Sequence, residues 1–213
     1  MISFPGVVFI SNAMDIISQC LSVPVLIILL ILVVISVFLL GQVIAEYFGN
    51  RKFRTGDIYD LIFQITNADS IDHLKSIVSD SQIPIKQKEI LTKISDTSSM
   101  NKCTREAVAK RLVELEEEEI DKKLNNADII TKVGPTLGLM GTLIPMGPGL
   151  AALGAGDVNT LASYLTLAFN TTVVGIGSGA LCYVLGKIRK FWYDKYLADL
   201  DALTDAVLAY RDG

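Results

Sequence analysis

Residues 134–150 read GPTLGLMGTLIPMGPGL. The stretch has no charge and is apolar enough to lie in a bilayer, yet it carries five glycines, three prolines and two threonines. Glycine and proline weaken an isolated helix, by about 1 and about 3 kcal/mol relative to alanine. Pro145 has no N–H for the carbonyl of Gly141, and Pro148 has none for that of Ile144. An unpaired polar group in lipid costs several kcal/mol, so water, a side chain or a neighbouring helix must satisfy those carbonyls. Such a span cannot face lipid all round. It is expected to be one wall of a packed, all-helical membrane assembly.

Outward from this stretch, residues 133–153 form a candidate span, residues 154–160 (GAGDVNT) an outer turn, and residues 161–186 the next span. That span places Asn170, Thr171 and Thr172 near mid-membrane, followed by Gly175, Gly177 and Gly179. Gly175 and Gly179 form a small-xxx-small pair suited to close helix approach. A purely local reading has the threonines bonding to their own backbone and the glycines only packing helices. Neither span holds a carboxylate, lysine or histidine. A carrier of protons or cations normally needs one within the hydrocarbon region. Either the chain moves nothing, or a partner brings the charge.

Further back, residues 21–45 (LSVPVLIILLILVVISVFLLGQVIA) are uncharged and, at about 1.5 Å per residue, exceed the ~30 Å hydrocarbon core. A cleaved leader would need a basic start and an apolar region of about 7–15 residues; no Lys or Arg precedes this run. All 19 Lys and Arg lie between Arg51 and Lys132 or from Lys187 onward. Positive residues mark the cytoplasmic side. The expected topology therefore has the N-terminus and the 154–160 turn outside, and residues 46–132 and 187–213 inside. Asp15 and Asp157 are the outer charges. Residues 1–20, of mixed polarity, read as an outer interfacial helix.

The cytoplasmic segment is too long for a plain connection and should be helical. Ile71, Leu74, Ile77 and Val78 keep helical spacing, and Pro84 marks a turn or helix start. A further helix begins with Thr104 as its N-cap and runs toward the second span, with an apolar stripe of Val108, Leu112 and Leu115. Glu118–Lys122 and Glu119–Lys123 are i,i+4 pairs on it, and the run Glu116–Glu119 reads as a solvated face. After a basic and aromatic cluster, Lys187–Tyr193, the residues Leu197, Leu200, Leu203, Val207 and Leu208 continue the third span as a helix. The net charge of −4 arises largely at the glutamate run, and no basic stripe suggests nucleic acid. Cys20, Cys103 and Cys182 make no metal or disulfide pattern. His73 reads as a helix-surface residue. No glycine lies between Gly56 and Gly134 to cradle a phosphate, and no catalytic constellation, cofactor site or metal set is legible.

The segment Pro135-Thr-Leu-Gly138-Leu-Met-Gly141-Thr142 resembles the P-x-L-G-L-x-G-T motif of the MotA/TolQ/ExbB proton channel family. Thr172 followed by Gly175 resembles its third-span counterpart, and the order of spans and cytoplasmic segments is similar throughout. The resemblance implies a pentamer around a central pore in the inner membrane. It implies a single-span partner of the ExbD, TolR or MotB kind, whose aspartate binds the ion. Thr142 and Thr172 would then line the pore, with Asn170 and Thr171 as further contributors. Pro135, Gly138, Gly141, Pro145, Pro148, Gly175 and Gly179 would pack or kink the helices. Pro145 and Pro148 depart from the family pattern. The rival reading is a structural scaffold that tethers cytoplasmic helices to the membrane.

Overall fold

The computed structural model describes residues 5–50, 56–68, 70–97 and 100–210. The described residues form six helices and no strand. They are α1 (Pro5–Asn50), α2 (Gly56–Thr66), α3 (Ile71–Asp80), α4 (Ile85–Asp96), α5 (Lys102–Gly154) and α6 (Val158–Ala209). α1, α5 and α6 each contain a stretch long and apolar enough to cross a membrane. At about 1.5 Å per residue, the 53-residue α5 and the 52-residue α6 far outrun a bilayer, so each span is one part of a longer rod. The interfacial segment expected over residues 1–20 is helical from Pro5 and continuous with the first span. Residues 1–4 and the side chains of Asn12 and Asp15 lie outside the described set.

The chain divides into two compact units. The first comprises Met1–Val43 and Asn125–Lys187. Its core is a set of stripes with alternating steps of three and four, the spacing that keeps residues on one helix face. α1 buries Val25, Leu29, Leu32, Ser36, Leu39 and Val43. α6 buries Ala168, Thr171, Gly175, Ser178, Cys182 and Leu185. α5 buries Ala127 and Ile130, then Gly134, Gly138, Gly141, Pro145 and Gly149. The Cys182 thiol lies 3.3 Å from the Ser36 hydroxyl, which itself donates to the Leu32 carbonyl at 2.7 Å. The polar atoms of this seam are thus satisfied inside it.

The second unit comprises Ile44–Leu124 and Ile188–Gly213. Leu61 and Ile65 of α2, Leu74 and Val78 of α3, Ile90, Leu91 and Ile94 of α4, Ala109 of α5, and Leu200, Leu203 and Val207 of α6 close one apolar core. The expected spacing of α3 and the start of α4 after Pro84 both hold, as does the stripe of Leu200, Leu203 and Val207.

Four expectations about α5 are corrected. Its N-cap is Asn101, whose side chain accepts from the Thr104 N–H at 2.9 Å; Thr104 already lies inside the helix. The buried face runs through Arg105, Ala109, Glu116 and Ile120, while Leu115 is exposed. Glu116 is therefore not solvated. It accepts from the Tyr196 hydroxyl at 3.3 Å and faces Lys86 at 3.7 Å, and burial beside this carboxylate pushes the Tyr196 phenol up from its ordinary value. Glu119–Lys123 forms at 3.1 Å, but Glu118 pairs with Arg111 instead of Lys122.

Candidate functional site

α5 and α6 turn back on each other within the first unit. The connection tightens to Ala155–Asp157. Gly156 takes φ +82°, the left-handed region glycine favours. Its N–H donates to Leu153 O at 3.0 Å, and the Asp157 N–H donates to Ala152 O at 2.9 Å, the pair of bonds that ends a helix on glycine. Asp157 then caps α6, accepting from the Thr160 N–H at 3.0 Å and from the Thr160 hydroxyl at 2.5 Å. These bonds hold the Asp157 carboxyl below the usual carboxylate range.

The glycines of the 134–150 stretch form the inside of the hairpin. A Cβ placed on Gly134 would lie 2.8 Å from the Gly175 carbonyl oxygen, and one on Gly138 would lie 3.1 Å from Gly175 Cα. On Gly141 it would meet Thr171 Cβ at 2.8 Å, and on Gly149 Tyr164 Cβ at 3.3 Å. From the other side, a Cβ on Gly175 would stand 2.6 Å from Gly138 Cα, and one on Gly179 2.7 Å from Pro135 Cδ. Those are backbone and ring atoms, which cannot swing aside. The same Gly179 position lies 3.4 Å from the Thr131 carbonyl oxygen, the carbonyl that Pro135 leaves without its i+4 N–H. α5 stays helical through Pro135, Pro145 and Pro148.

This seam sorts the candidate residues. Thr171 is buried, packs on Gly141 and donates to Ala168 O at 2.8 Å. Thr172 is half-buried at the level of Gly138 and donates to the same carbonyl at 3.2 Å. Thr142, also half-buried, donates to Leu139 O at 2.7 Å. Each hydroxyl has used its single proton locally and keeps lone pairs that accept. Asn170 is exposed, and no side-chain or backbone partner among the described residues engages its carboxamide. Pro145 is buried in the seam and Pro148 half-buried beside it.

The second unit holds a polar cluster that sequence reasoning missed. The buried Arg189 of α6 forms a two-pronged ion pair with Glu46 of α1, at 2.9 Å from Nε and 2.5 Å from the terminal nitrogen, and the Tyr193 hydroxyl lies 3.3 Å from the same carboxylate. The pairing raises the Arg189 pKa above its ordinary value. Tyr47 stacks on Trp192 nearby, with centroids 6.0 Å apart. A signal was present: Glu46 directly follows one apolar run and Arg189 lies three residues past the end of another, so each charge sits at the inner end of its span. Among the described residues no cluster of His, Cys, Asp or Glu could hold a metal ion.

In comparison with known proteins, a family model described as the MotA/TolQ/ExbB proton channel family matches residues 82–201, which include the whole hairpin. No curated protein matches the chain.

Proposed function

The chain belongs to the MotA/TolQ/ExbB proton channel family, and on that premise we propose that it is the pore-forming stator subunit of an ion-driven, energy-transducing membrane motor. Protons are the favoured ion. Five copies would surround the pore in the inner membrane, with the N-termini outside and the C-termini in the cytoplasm. A single-span partner of the ExbD, TolR or MotB kind would supply the ion-binding aspartate.

The observation that carries this reading is a chemical complementarity. The second and third spans hold no carboxylate, lysine or histidine, yet the family motif puts Thr142 and Thr172 on adjoining levels of one hairpin. Each hydroxyl is anchored to a backbone carbonyl and left able to accept. A protonated carboxylic acid is a donor, and it would find acceptors there. Once the acid loses its proton, that attraction ends. The two states of the partner's acid would thus interact differently with the pore wall, which is what any ion-coupled conformational step requires.

Thr142→Val together with Thr172→Val removes both acceptors while conserving volume. Ion-dependent work by the complete complex should fall at least tenfold, with the subunits still co-purifying. Full retained activity would overturn the pore assignment. It would favour a scaffold that tethers helices, for which neither hydroxyl matters.

A further inference from the structure

We infer that Asn170 joins neighbouring copies of this chain by donating a hydrogen bond to the carbonyl of Ile144 that Pro148 leaves free. The inference rests on the proposed oligomeric reading. It gives a role to Pro148, one of the two prolines that set this chain apart from the family motif.

Asn170 is the unpaired group. It lies near the middle of the third span, its side chain is exposed, and its carboxamide has no partner among the described residues. Leaving an amide unbonded in lipid costs several kcal/mol, so a bond to something outside the chain is required. Gly177, two turns further along, shares the Asn170 face of the helix, and a Cβ there would meet nothing within 4 Å. Between them Val173 is exposed. A polar group and a bare glycine on one exposed helix face favour close approach by another helix.

The acceptors lie on α5. Pro145 frees the Gly141 carbonyl and Pro148 frees that of Ile144. Among the described residues no side chain donates to either. Gly141 and Pro145 are buried against the chain's own seam, whereas Ile144 and Pro148 are only half-buried. The Ile144 carbonyl is therefore the one another copy can reach.

Depth agrees. Gly141 sits level with Thr171, and Gly149 with Leu161 and Tyr164. Interpolating between them places Ile144 near the level of Ala168, roughly 3 Å along the axis from Asn170 at about 1.5 Å per residue. Helical side chains lean toward their own N-terminus, and for Asn170 that is toward the Ile144 level. Copies related by rotation about the membrane normal keep every residue at constant depth, so α6 of one copy meets its neighbour at matching height.

The test is a double-mutant cycle on the purified full-length complex, read as the dissociation constant between copies in detergent. Asn170→Leu should weaken association about three- to twentyfold per interface, the range for bonds between membrane helices, and Asn170→Gln should restore most of it. Pro148→Ala returns an N–H to the Ile144 carbonyl. In that background Asn170→Leu should change association less than twofold, while in a Pro145→Ala background its effect should persist in full. Equal effects in the Pro148→Ala and unmodified backgrounds would overturn the bond. So would unchanged association with lost ion conduction, which would make Asn170 a pore residue. Should the unmodified protein be monomeric, the oligomeric reading itself fails; an oligomer with ion-dependent work but no coupling removes only this inference.

Discussion

Gly175 and Gly177 are two residues apart in one helix and sit in opposite circumstances. At Gly175 a methyl group would press on Gly138 Cα, Gly138 N and Gly134 O at 2.6–2.9 Å, all backbone atoms that move only if α5 moves. At Gly177 it would meet nothing within 4 Å of the same chain. Gly175→Ala should therefore destabilise the folded chain by about 1–3 kcal/mol through overpacking. Gly177→Ala should leave the monomer unchanged, or stabilise it by up to about 1 kcal/mol through helix propensity. Thermal unfolding of the detergent-solubilised chain distinguishes them: a fall in Tm of several degrees for the first and none for the second. Equal losses would mean that glycine serves helix flexibility here and not close packing. The same reasoning separates Thr171 from Thr172. The motif points to Thr172, but only the packing shows that Thr171 fills the notch left by Gly141. Hydropathy and spacing alone do not separate the two, because adjacent hydroxyls differ only in their rotation about the helix axis.

At the scale of the element, legibility depended on the solvent. In α3 and α4, water on one side and core on the other imposes a hydropathy period, and Leu74, Val78, Ile90 and Ile94 are buried as their spacing implies. In α6 the period is one of size: Ala168, Thr171, Gly175, Ser178 and Cys182 are buried while Phe169, Val173 and Ile176 are exposed. Lipid is as apolar as the core, so hydropathy carries no phase there. The first part of α5 misled for another reason. Its buried face includes Arg105, which donates to Leu208 O at 3.2 Å, and Glu116, paired with Tyr196, so its apolar stripe marks only part of its inner face: Leu112 packs against the core and Leu115 is exposed. The start of α6 yields a pH prediction. The folded pKa of Asp157 lies below the ordinary value near 3.9. Its capping contribution is then complete above that unfolded value and is lost as pH falls through the lower, folded one. Amide exchange, corrected for intrinsic rates, should show the first turn of α6 losing protection only in that acid window. Asp157→Ala should remove the pH dependence altogether, and a first turn that frays equally at neutral pH would exclude the cap.

Across the whole molecule, the informative pattern is where charge is missing. All 19 Lys and Arg and all 23 Asp and Glu lie outside the three apolar runs, and the titratable clusters that the fold assembles, Glu46–Arg189–Tyr193 and Lys86–Glu116–Tyr196, belong to the second unit. What the hairpin of the first unit offers is acceptors: threonine hydroxyls anchored to their own backbone, and carbonyls released by proline. Acceptors without an acid or base can bind a proton donor, but they cannot themselves carry a proton at physiological pH. The chain reconstituted alone into liposomes, under a pH gradient and a potassium diffusion potential, should therefore pass protons no faster than protein-free vesicles. Adding a single-span partner with an intramembrane aspartate should raise the flux at least tenfold, and changing that aspartate to asparagine should return it to the background. Proton flux well above background from the chain alone would place the ion-carrying group within these 213 residues and remove the reason for assigning the acid to a partner.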